Sequence, residues 1–499
     1  MPGRISAQDA SASRLEAGRG GSTEPVALSL GRALDRALES DEEVRGARAR
    51  LAQARAGLRI ARALRFPRLD ALLSYTRQFR SPFDVGFDPA LDGDTAGFTA
   101  DTTLPLDERV RRIERALERG DAARGASPFQ DFPLGQDHTW LAALDAEWLV
   151  WNGGRLGAEI DAAGRAVATA VAEVDQAEAD VALVVKQAYY DALLAQQRVA
   201  IARAGLAQAE DEVALARARR AAGAVSELEA LRAEVERDNL TAQLDDALDA
   251  LDLALLDLKR AAEVSPVRDV VLTAALCPPG TPAPVLPPPD AAFAVIEARR
   301  PSIIAAREEV ARLNAEVRAE RSDVYPTVTA TGRLGEQAFP DRILPAPGDW
   351  RDDWSLGIRV DWPVFTGFRR GAEIQLARGR VAEAAAALDR LRETARSDYV
   401  LAYRRYARAR DEIATRSATI ARARRVYELT LLRYEEGLGL QIEVTEARVA
   451  LQQARTNLAE ALRDYYAALA RAEYAIGRPI AESVVPPAAC PDGLGPLDP

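Results

Sequence analysis

Apolar and polar residues alternate along four short stretches of the chain. In "WSLGIRVDW" (residues 354–362), the apolar side chains would lie on one side of an extended backbone and the polar ones on the other. The stretches "RLDALLSYTR" (68–77), "WLAALDAEW" (140–148) and "TVTATGRL" (327–334) show the same period of two. This period is typical of β-strands with one apolar face. The pattern therefore predicts four strands, two in each half of the chain.

Between the strands, apolar residues recur every three or four positions over long stretches, which predicts α-helices. Ser29 and Asp290 are placed to cap the first helix of each half, since short polar side chains accept the free N–H groups of a helix start. "ESDEEV" should interrupt the first of these helices, and Pro301 its counterpart in the second half. The helices expected in the first half span about residues 29–65, 154–222 and 226–264.

The two halves of the chain repeat each other. "RRAAGAVSELEALRAEVER" (219–237) aligns with "RYEEGLGLQIEVTEARVAL" (433–451) at an offset of 214, so that Gly223 matches Gly437. Each glycine interrupts a long helical pattern, which predicts the turn of a helical hairpin. Further upstream the offset is 259, and the excess of 45 residues in the first copy falls in a polar loop over residues 80–138.

The repeat sets the domain organisation that we expect. Each copy contains a helix, a β-hairpin and a long helical hairpin. At 1.5 Å per residue, two short helices end to end match one long helix, which places the link between the copies at the middle of the long helices. The segments are a disordered N-terminal stretch (1–26), the first copy (27–265), a proline-rich linker at this equatorial waist (266–289), the second copy (290–478) and a proline-rich tail (479–499).

The environment of the strands follows from what could cover their apolar faces. An ordinary sandwich strand and a membrane strand both alternate. Tryptophan at the strand ends, together with the lack of a second sheet, favours strands that face lipid. No window reaches 18 consecutive apolar residues, so we expect no transmembrane helix. Four strands cannot close a barrel, eight would enclose a filled interior and twelve would leave an aqueous lumen, which makes a trimer the smallest assembly with a pore.

Charge and motifs exclude several function classes. The formal net charge of −11 argues against a nucleic-acid partner. With one histidine and no CxxC pattern we expect no metal site. We find no P-loop, nucleophile elbow, HExxH or dinucleotide turn, so we expect neither enzymatic activity nor a cofactor. Cys277 and Cys490 occupy nearly equivalent positions of the two copies, and could form a disulfide in an oxidising compartment or remain two buried thiols.

From about residue 27 to 478 the sequence resembles the TolC-like outer-membrane efflux family. The segments that carry the resemblance are "SLGRALDRALESDEEVRGARARLAQA", "RFPRLDA", "VWNGGR", "RRAAGAVSELEALRAE", "RPSIIAAREEVARLNAEV", "YPTVTATG", "WPVFTGFRR" and "RYEEGLGLQIEVTEARVAL". The resemblance implies a mostly α protein with a small β-barrel part. Four strands from each chain of a homotrimer would complete a twelve-stranded transmembrane barrel, which continues as a helical coiled-coil tunnel across the periplasm.

The resemblance also implies a function and partners. The protein would be the outer-membrane exit duct of a tripartite efflux system for drugs or other substrates, or of a type I secretion system, in a Gram-negative-type bacterium. It would contact outer-membrane lipid, a periplasmic adaptor (membrane fusion) protein and an inner-membrane pump of the RND, ABC or MFS type. The alternative is a non-conducting structural or adaptor-type coiled-coil protein of the cell envelope, which would have no use for four amphipathic strands.

Finally, the resemblance assigns roles to the hairpin tips. Glu229, Tyr434, Glu443 and Glu446 match residues at the gate of the periplasmic entrance; the alternative is that the glutamates face outward as solvated helix residues. Gly439 stands where some members have a basic partner. The N-terminus has no apolar segment typical of a secretory signal, so the expected leader is not visible. The residues that match adaptor-docking tips are Arg219, Gly223, Ala224, Val225, Arg433, Gly437 and Leu438.

Overall fold

A computed structural model describes residues 26–79, 103–125, 137–279, 284–340 and 342–477. The predicted disordered segment up to residue 25, most of the inserted loop 80–138 and the C-terminal tail with Cys490 lie outside the described residues. Within the inserted loop, the structure describes one helix, Leu106–Gly125.

The described part of the chain contains nine helices and six strands. The helices are α1 (Leu30–Ser40), α2 (Glu42–Ala63), α3 (Leu106–Gly125), α4 (Arg155–Ala221), α5 (Glu227–Ala261), α6 (Pro289–Arg299), α7 (Pro301–Ser322), α8 (Arg369–Glu435) and α9 (Gln441–Ile476). The strands are β1 (Val26–Leu28), β2 (Arg68–Arg77), β3 (His138–Trp151), β4 (Val270–Leu272), β5 (Thr327–Ala338) and β6 (Trp350–Asp361).

These elements form two compact units, and each unit draws on both halves of the chain. The strand unit comprises Ile60–Ala158 and Arg318–Glu373. The helical unit comprises the chain up to Arg59, then Glu159–Val317 and the part from Ile374 onward.

The strand unit is an antiparallel sheet in the order β2-β3-β5-β6. Arg68 pairs with Glu147, Trp140 with Ala338 and Thr327 with Asp361, and the register shifts once, between Leu149 and Trp151. All four strands predicted from alternation are confirmed, and β2 has the predicted bounds.

The sheet has one apolar and one polar face. The register places Leu73 opposite Ala142, Leu144 opposite Leu334, and Leu334 opposite Trp354, so these apolar residues of the four strands share one face. On the other face, the Arg333 guanidinium donates to the Asp145 carboxylate at 2.7 Å. The apolar face is open in the single chain: Trp354 is 72% exposed and Leu356 is 89% exposed. A continuous apolar surface of this extent is unfavourable in water, so we expect lipid or another chain to cover it.

In the helical unit, α4 and α8 each run for 67 residues. The Ser29 hydroxyl accepts from the Arg32 N–H, as expected for the cap of α1. The prediction that Asp290 caps the equivalent helix is wrong, because α6 begins one residue earlier, at Pro289, and leaves Asp290 in its first turn. The fixed φ of proline suits the first helical position, and a carboxylate stabilises the first turn through the helix dipole.

The proline-rich linker is held by tyrosines of the helical unit. The hydroxyl groups of Tyr399 and Tyr406 donate to the carbonyls of Pro287 and Pro284, at 2.7 and 2.5 Å. Tyr466 donates to the Cys277 carbonyl at 3.0 Å. The Cys277 side chain is fully buried and is not a free thiol. Its pairing with Cys490 stays a prediction, since Cys490 lies outside the described residues.

Candidate functional site at the helical tips

Both tip glycines end their helices in the left-handed conformation, with φ of +73° at Gly223 and +79° at Gly437. Around the first, the Ala224 N–H donates to the Arg219 carbonyl and the Gly223 N–H to that of Arg220. At the second tip, the Leu438 N–H donates to the Arg433 carbonyl and the Gly437 N–H to that of Tyr434. Such paired bonds satisfy the last free carbonyls of a helix and require a residue that adopts positive φ easily. The prediction of two glycine turns is confirmed.

The structure brings the two tips together through Arg219. Its guanidinium lies over the Tyr434 ring, 4.7 Å from the ring centre, and donates to the Tyr434 carbonyl. A side chain at Gly437 would meet the same guanidinium at 3.4 Å. Tyr434 is buried, and its hydroxyl has no hydrogen-bond partner among the described residues. Burial raises the pKa of this hydroxyl, with a further contribution from Glu229 and against the opposing effect of Arg219.

Arg433 occupies the position equivalent to Arg219 but has different contacts. It is exposed, and its guanidinium donates to the Leu438 carbonyl of its own turn at 3.3 Å. The residue equivalent to Tyr434 in the first tip is Arg220, so Arg433 has no matching ring to cover. Around the tips, Leu438 is 74% exposed, Ala224 is exposed and Val225 is half-buried.

The three entrance glutamates have different settings. Glu443 is half-buried, and its carboxylate accepts from the Leu440 N–H at 3.4 Å, which helps to cap α9. Glu229 is half-buried close enough to Tyr434 to affect its titration. Glu446 is exposed. In the single chain, Glu446 is therefore exposed to water and Glu443 is engaged with its own helix.

A buried ionic cluster above the tips was missed by the sequence reasoning. The Arg448 guanidinium is fully buried, and it donates to Glu236 at 2.9 Å and lies 3.3 Å from the Glu212 carboxylate. The Tyr427 hydroxyl donates to Glu212 at 3.3 Å. The cluster thus joins α4, α5, α8 and α9. Burial raises the pKa of Glu212, and Arg448 opposes this rise. The available signal was a charge inside the apolar stripe of α9, beside Ala447 and Leu451.

A second buried arginine lies seven residues further along α9. Arg455 is 5% exposed, and its Nε and Nη1 atoms have no hydrogen-bond partner among the described residues. Burial lowers its pKa, and the neighbouring Arg424 adds to this effect.

The described residues contain no group of three or more His, Cys, Asp or Glu side chains that could hold a metal ion. None of the helices within the same ranges is both long enough and apolar enough to span a membrane.

Comparison with protein families shows to which family the chain belongs. The model of the outer membrane efflux proteins matches residues 33–127, 134–262 and 294–478. The chain belongs to this family. It is 27% identical to the outer membrane protein OprJ of Pseudomonas aeruginosa over 434 residues, which cover 85% of this chain and 78% of OprJ. It is 25% identical to the outer membrane efflux protein BepC of Brucella suis over 298 residues, covering 60% of this chain and 63% of BepC.

A solved structure shows the same fold. The channel CusC superposes with a TM-score of 0.69 at 16% identity, covering 91% of this chain and 94% of CusC. The predicted fold class, long helices with a small β part of TolC type, is confirmed, as is the family resemblance. The chain is an outer-membrane efflux channel with a periplasmic part. The alternative, a non-conducting structural or adaptor-type coiled-coil protein of the cell envelope, has no support.

Proposed function

We propose that this channel is the exit duct of a tripartite efflux system and works as a homotrimer. The observation that carries the proposal is the four-stranded sheet, whose order ends at β2 and β6 and whose apolar face is open. Unpaired edges and an open apolar face are both costly. Three copies would supply twelve strands, enough for a barrel with an aqueous lumen, and would pair every edge.

The two faces of the sheet then have different roles. The apolar face, with Leu73, Leu356 and Ile358, would contact outer-membrane lipid. Trp140 and Trp148 lie near opposite ends of β3, and their indole N–H groups donate to the carbonyls of Ile343 and Arg65. Amphipathic rings at both ends of a strand suit the two membrane interfaces. The face with Asp145 and Arg333 would line the lumen.

The tips would form the periplasmic entrance and meet the adaptor. The exposed side chains of Arg433 and Leu438, with the turn at Ala224 and Val225, would form the docking surface, together with the two tip glycines. Arg219 would fix the second tip against the first through Tyr434. An adaptor of the membrane fusion type would connect this surface to an inner-membrane pump of the RND, ABC or MFS type.

The entrance would carry a ring of carboxylates. Glu229, Glu443 and Glu446 give three acids per chain, and hence nine in a trimer. A charged ring at a constriction attracts ions of the opposite sign. We propose that this ring favours cations and that the contact between Arg219 and Tyr434 helps to hold the entrance closed.

The disulfide and the domain limits are part of the same proposal. A bridge between Cys277 and Cys490 would tie the C-terminal tail to the linker that Tyr399 and Tyr406 hold in place. The two copies (27–265 and 290–478) would arrange their helical hairpins around one tunnel.

Efflux in cells tests the proposal. The gene would be expressed with its adaptor and pump in a Gram-negative host that lacks its own efflux channel, and accumulation of a fluorescent lipophilic cation would be measured. We expect the channel to lower accumulation, and a variant without the tips (deletion of 219–229 and 433–443) to fail while still reaching the outer membrane. High accumulation with the intact channel, at normal outer-membrane levels, would contradict the function.

A further inference from the structure

Helix α9 buries one row of side chains that repeats every seven residues from its first residue to its last. A repeat of seven keeps such a row on the face that packs against neighbouring helices. From the tip upward, the members of the row are Gln441, Arg448, Arg455, Leu462, Leu469 and Ile476. The upper half of the row is apolar and the lower half is polar. Two arginines therefore occupy positions where a leucine would be the ordinary choice.

The two arginines of this row have different surroundings. The Arg448 guanidinium is balanced by the carboxylates of Glu212 and Glu236. Arg455 is nearly as deeply buried, at 5% exposed, but within the part of the chain that the structure describes it forms no ion pair, and its Nε and Nη1 atoms have no hydrogen-bond partner. Guanidinium groups stay protonated in proteins. Helix α9 therefore holds one compensated and one uncompensated buried cation.

Helix geometry directs a second guanidinium, that of Arg424 on α8, toward Arg455. The Arg416 guanidinium donates to the Asn457 carbonyl at 3.2 Å, and this contact sets the antiparallel register of α8 and α9. In that register Arg455 lies across from Ala418, and Arg424 is six residues nearer the tip, about 9 Å at 1.5 Å per residue. Side chains of a helix lean toward its N-terminus. Because α9 begins at the tip and α8 ends there, the two long side chains lean toward each other.

The groups around Arg455 do not balance its charge. Burial lowers the pKa of Arg455, Arg424 adds to this effect, and Tyr427 opposes it. Tyr427 remains a neutral phenol, because burial and the charge of Glu212 raise its pKa, so it offers a dipole and no charge. Two cations that converge away from water repel each other unless an anion lies close to both. Because its own chain already covers Arg455, the missing counter-ion must be small.

We propose that a small inorganic anion, of the size and charge of chloride, binds between α8 and α9 in contact with Arg455 and Arg424. The Nε–H and Nη1–H groups of Arg455 donate to it, and charge-assisted bonds of this kind are the strong ones. The ion serves Arg455 as Glu212 and Glu236 serve Arg448. It links the two helices of the second hairpin above the tip, so chloride stabilises this part of the hairpin. The site lies within one chain and depends on neither the trimer nor efflux.

Hydrogen exchange of the purified protein in detergent tests the site in solution. Exchange is compared in sodium chloride and in sodium gluconate at equal ionic strength, because gluconate is too large for a site buried between two helices. With a dissociation constant of about 10 mM, chloride at about 0.1 M should slow local exchange of residues 417–427 and 449–460 about ten-fold. A difference of less than about two-fold between the two salts would overturn the site.

Three variants separate the charge of the site from its packing. Arg455→Met keeps a long apolar side chain, and it should remove the chloride effect. In gluconate this variant should exchange more slowly than the wild-type protein, because the uncompensated buried cation is gone; faster exchange in both salts would mean that Arg455 acts by packing alone. Arg424→Gln should weaken the chloride effect by about three-fold or more. Arg425→Gln is the matched control, since exposed Arg425 pairs with Glu428 at 3.1 Å, and should leave the effect unchanged.

Bromide, a heavier substitute for chloride, gives the position of the ion. Crystals grown in sodium bromide should show an anomalous-scattering peak between the guanidinium groups of Arg455 and Arg424, and crystals of Arg455→Met should lack it. No peak at this place in the wild-type protein would overturn the proposal. A peak combined with exchange that is equal in chloride and gluconate would mark an adventitious ion only, and would overturn it as well. So would a chloride effect that persists in Arg455→Met, because its origin would then lie elsewhere.

Discussion

Replacement of Arg448 by methionine should loosen the helices above the entrance, by an amount that depends on pH. Methionine fills much of the arginine volume, so the main effect falls on Glu212, which is 4% exposed and would lose its buried cation. An uncompensated buried charge costs about 3–5 kcal/mol. Glu212 can avoid this cost by binding a proton. From an unfolded pKa of about 4.3, protonation costs about 3.7 kcal/mol at pH 7 and about 1 kcal/mol at pH 5.

The sign of this dependence follows from proton binding. In the variant, the folded protein would keep a proton on Glu212 that the unfolded chain releases above a pH of about 4.3. Stability therefore falls as the pH rises, by about 1.4 kcal/mol per unit, until the buried carboxyl ionises. The wild-type protein should show a smaller slope of the same sign, because burial already raises the pKa of Glu212 and Arg448 opposes that rise.

Hydrogen exchange of the trimer in detergent measures the effect locally. Peptides from residues 441–460 should exchange faster in Arg448→Met by about 500-fold at pH 7 and about five-fold at pH 5, after correction for intrinsic rates. Adding Glu212→Gln should remove most of the pH dependence, whereas Glu236→Gln should change little, since the Glu236 side chain is 27% exposed and partly solvated. An equal increase at both pH values in Arg448→Met would refute the reasoning.

Three further predictions concern the tips and the cysteines. Arg433→Glu should abolish efflux by removing an exposed docking charge while trimer levels stay normal, whereas Arg433→Lys should retain it; loss of the trimer would indicate a structural role instead. Glutamine at all three entrance glutamates should reduce cation selectivity, seen as a smaller reversal potential under a salt gradient; an unchanged potential would remove these residues from the entrance. Mass spectrometry of non-reduced digests of exported protein should link the peptides of Cys277 and Cys490, and two alkylated free thiols would disprove the bridge.

Much of the fold could be predicted because it depends on local patterns. Alternation is enough to predict β2, and a glycine between two long helical stretches is enough to predict a left-handed turn at Gly223. The wrong prediction at Asp290 also has a local cause. The helix begins at Pro289, whose fixed φ suits the first helical position, so Asp290 lies in the first turn and not at the cap. The internal repeat predicts the order of the elements, because each copy contains the same succession of helix, β-hairpin and helical hairpin.

The candidate site was harder to predict because repeat equivalence does not carry over to contacts. Arg219 and Arg433 align, yet only Arg219 has a tyrosine ring to cover. Arg448 aligns with Glu234, so one copy has a buried cation where the other has a carboxylate. Whether such a charge is buried depends on which helices pack against it, and this is a property of the tertiary structure that no single stretch of sequence contains.

The same divergence between the copies explains why the chain needs neighbours. The helices α5 and α9 are equivalent in the repeat and have 35 and 36 residues, but α9 buries twenty of them and α5 only four. In the single chain α9 is an interior helix, packed against α4 and α8, whereas α5 leaves Leu228, Leu231 and Leu253 in water.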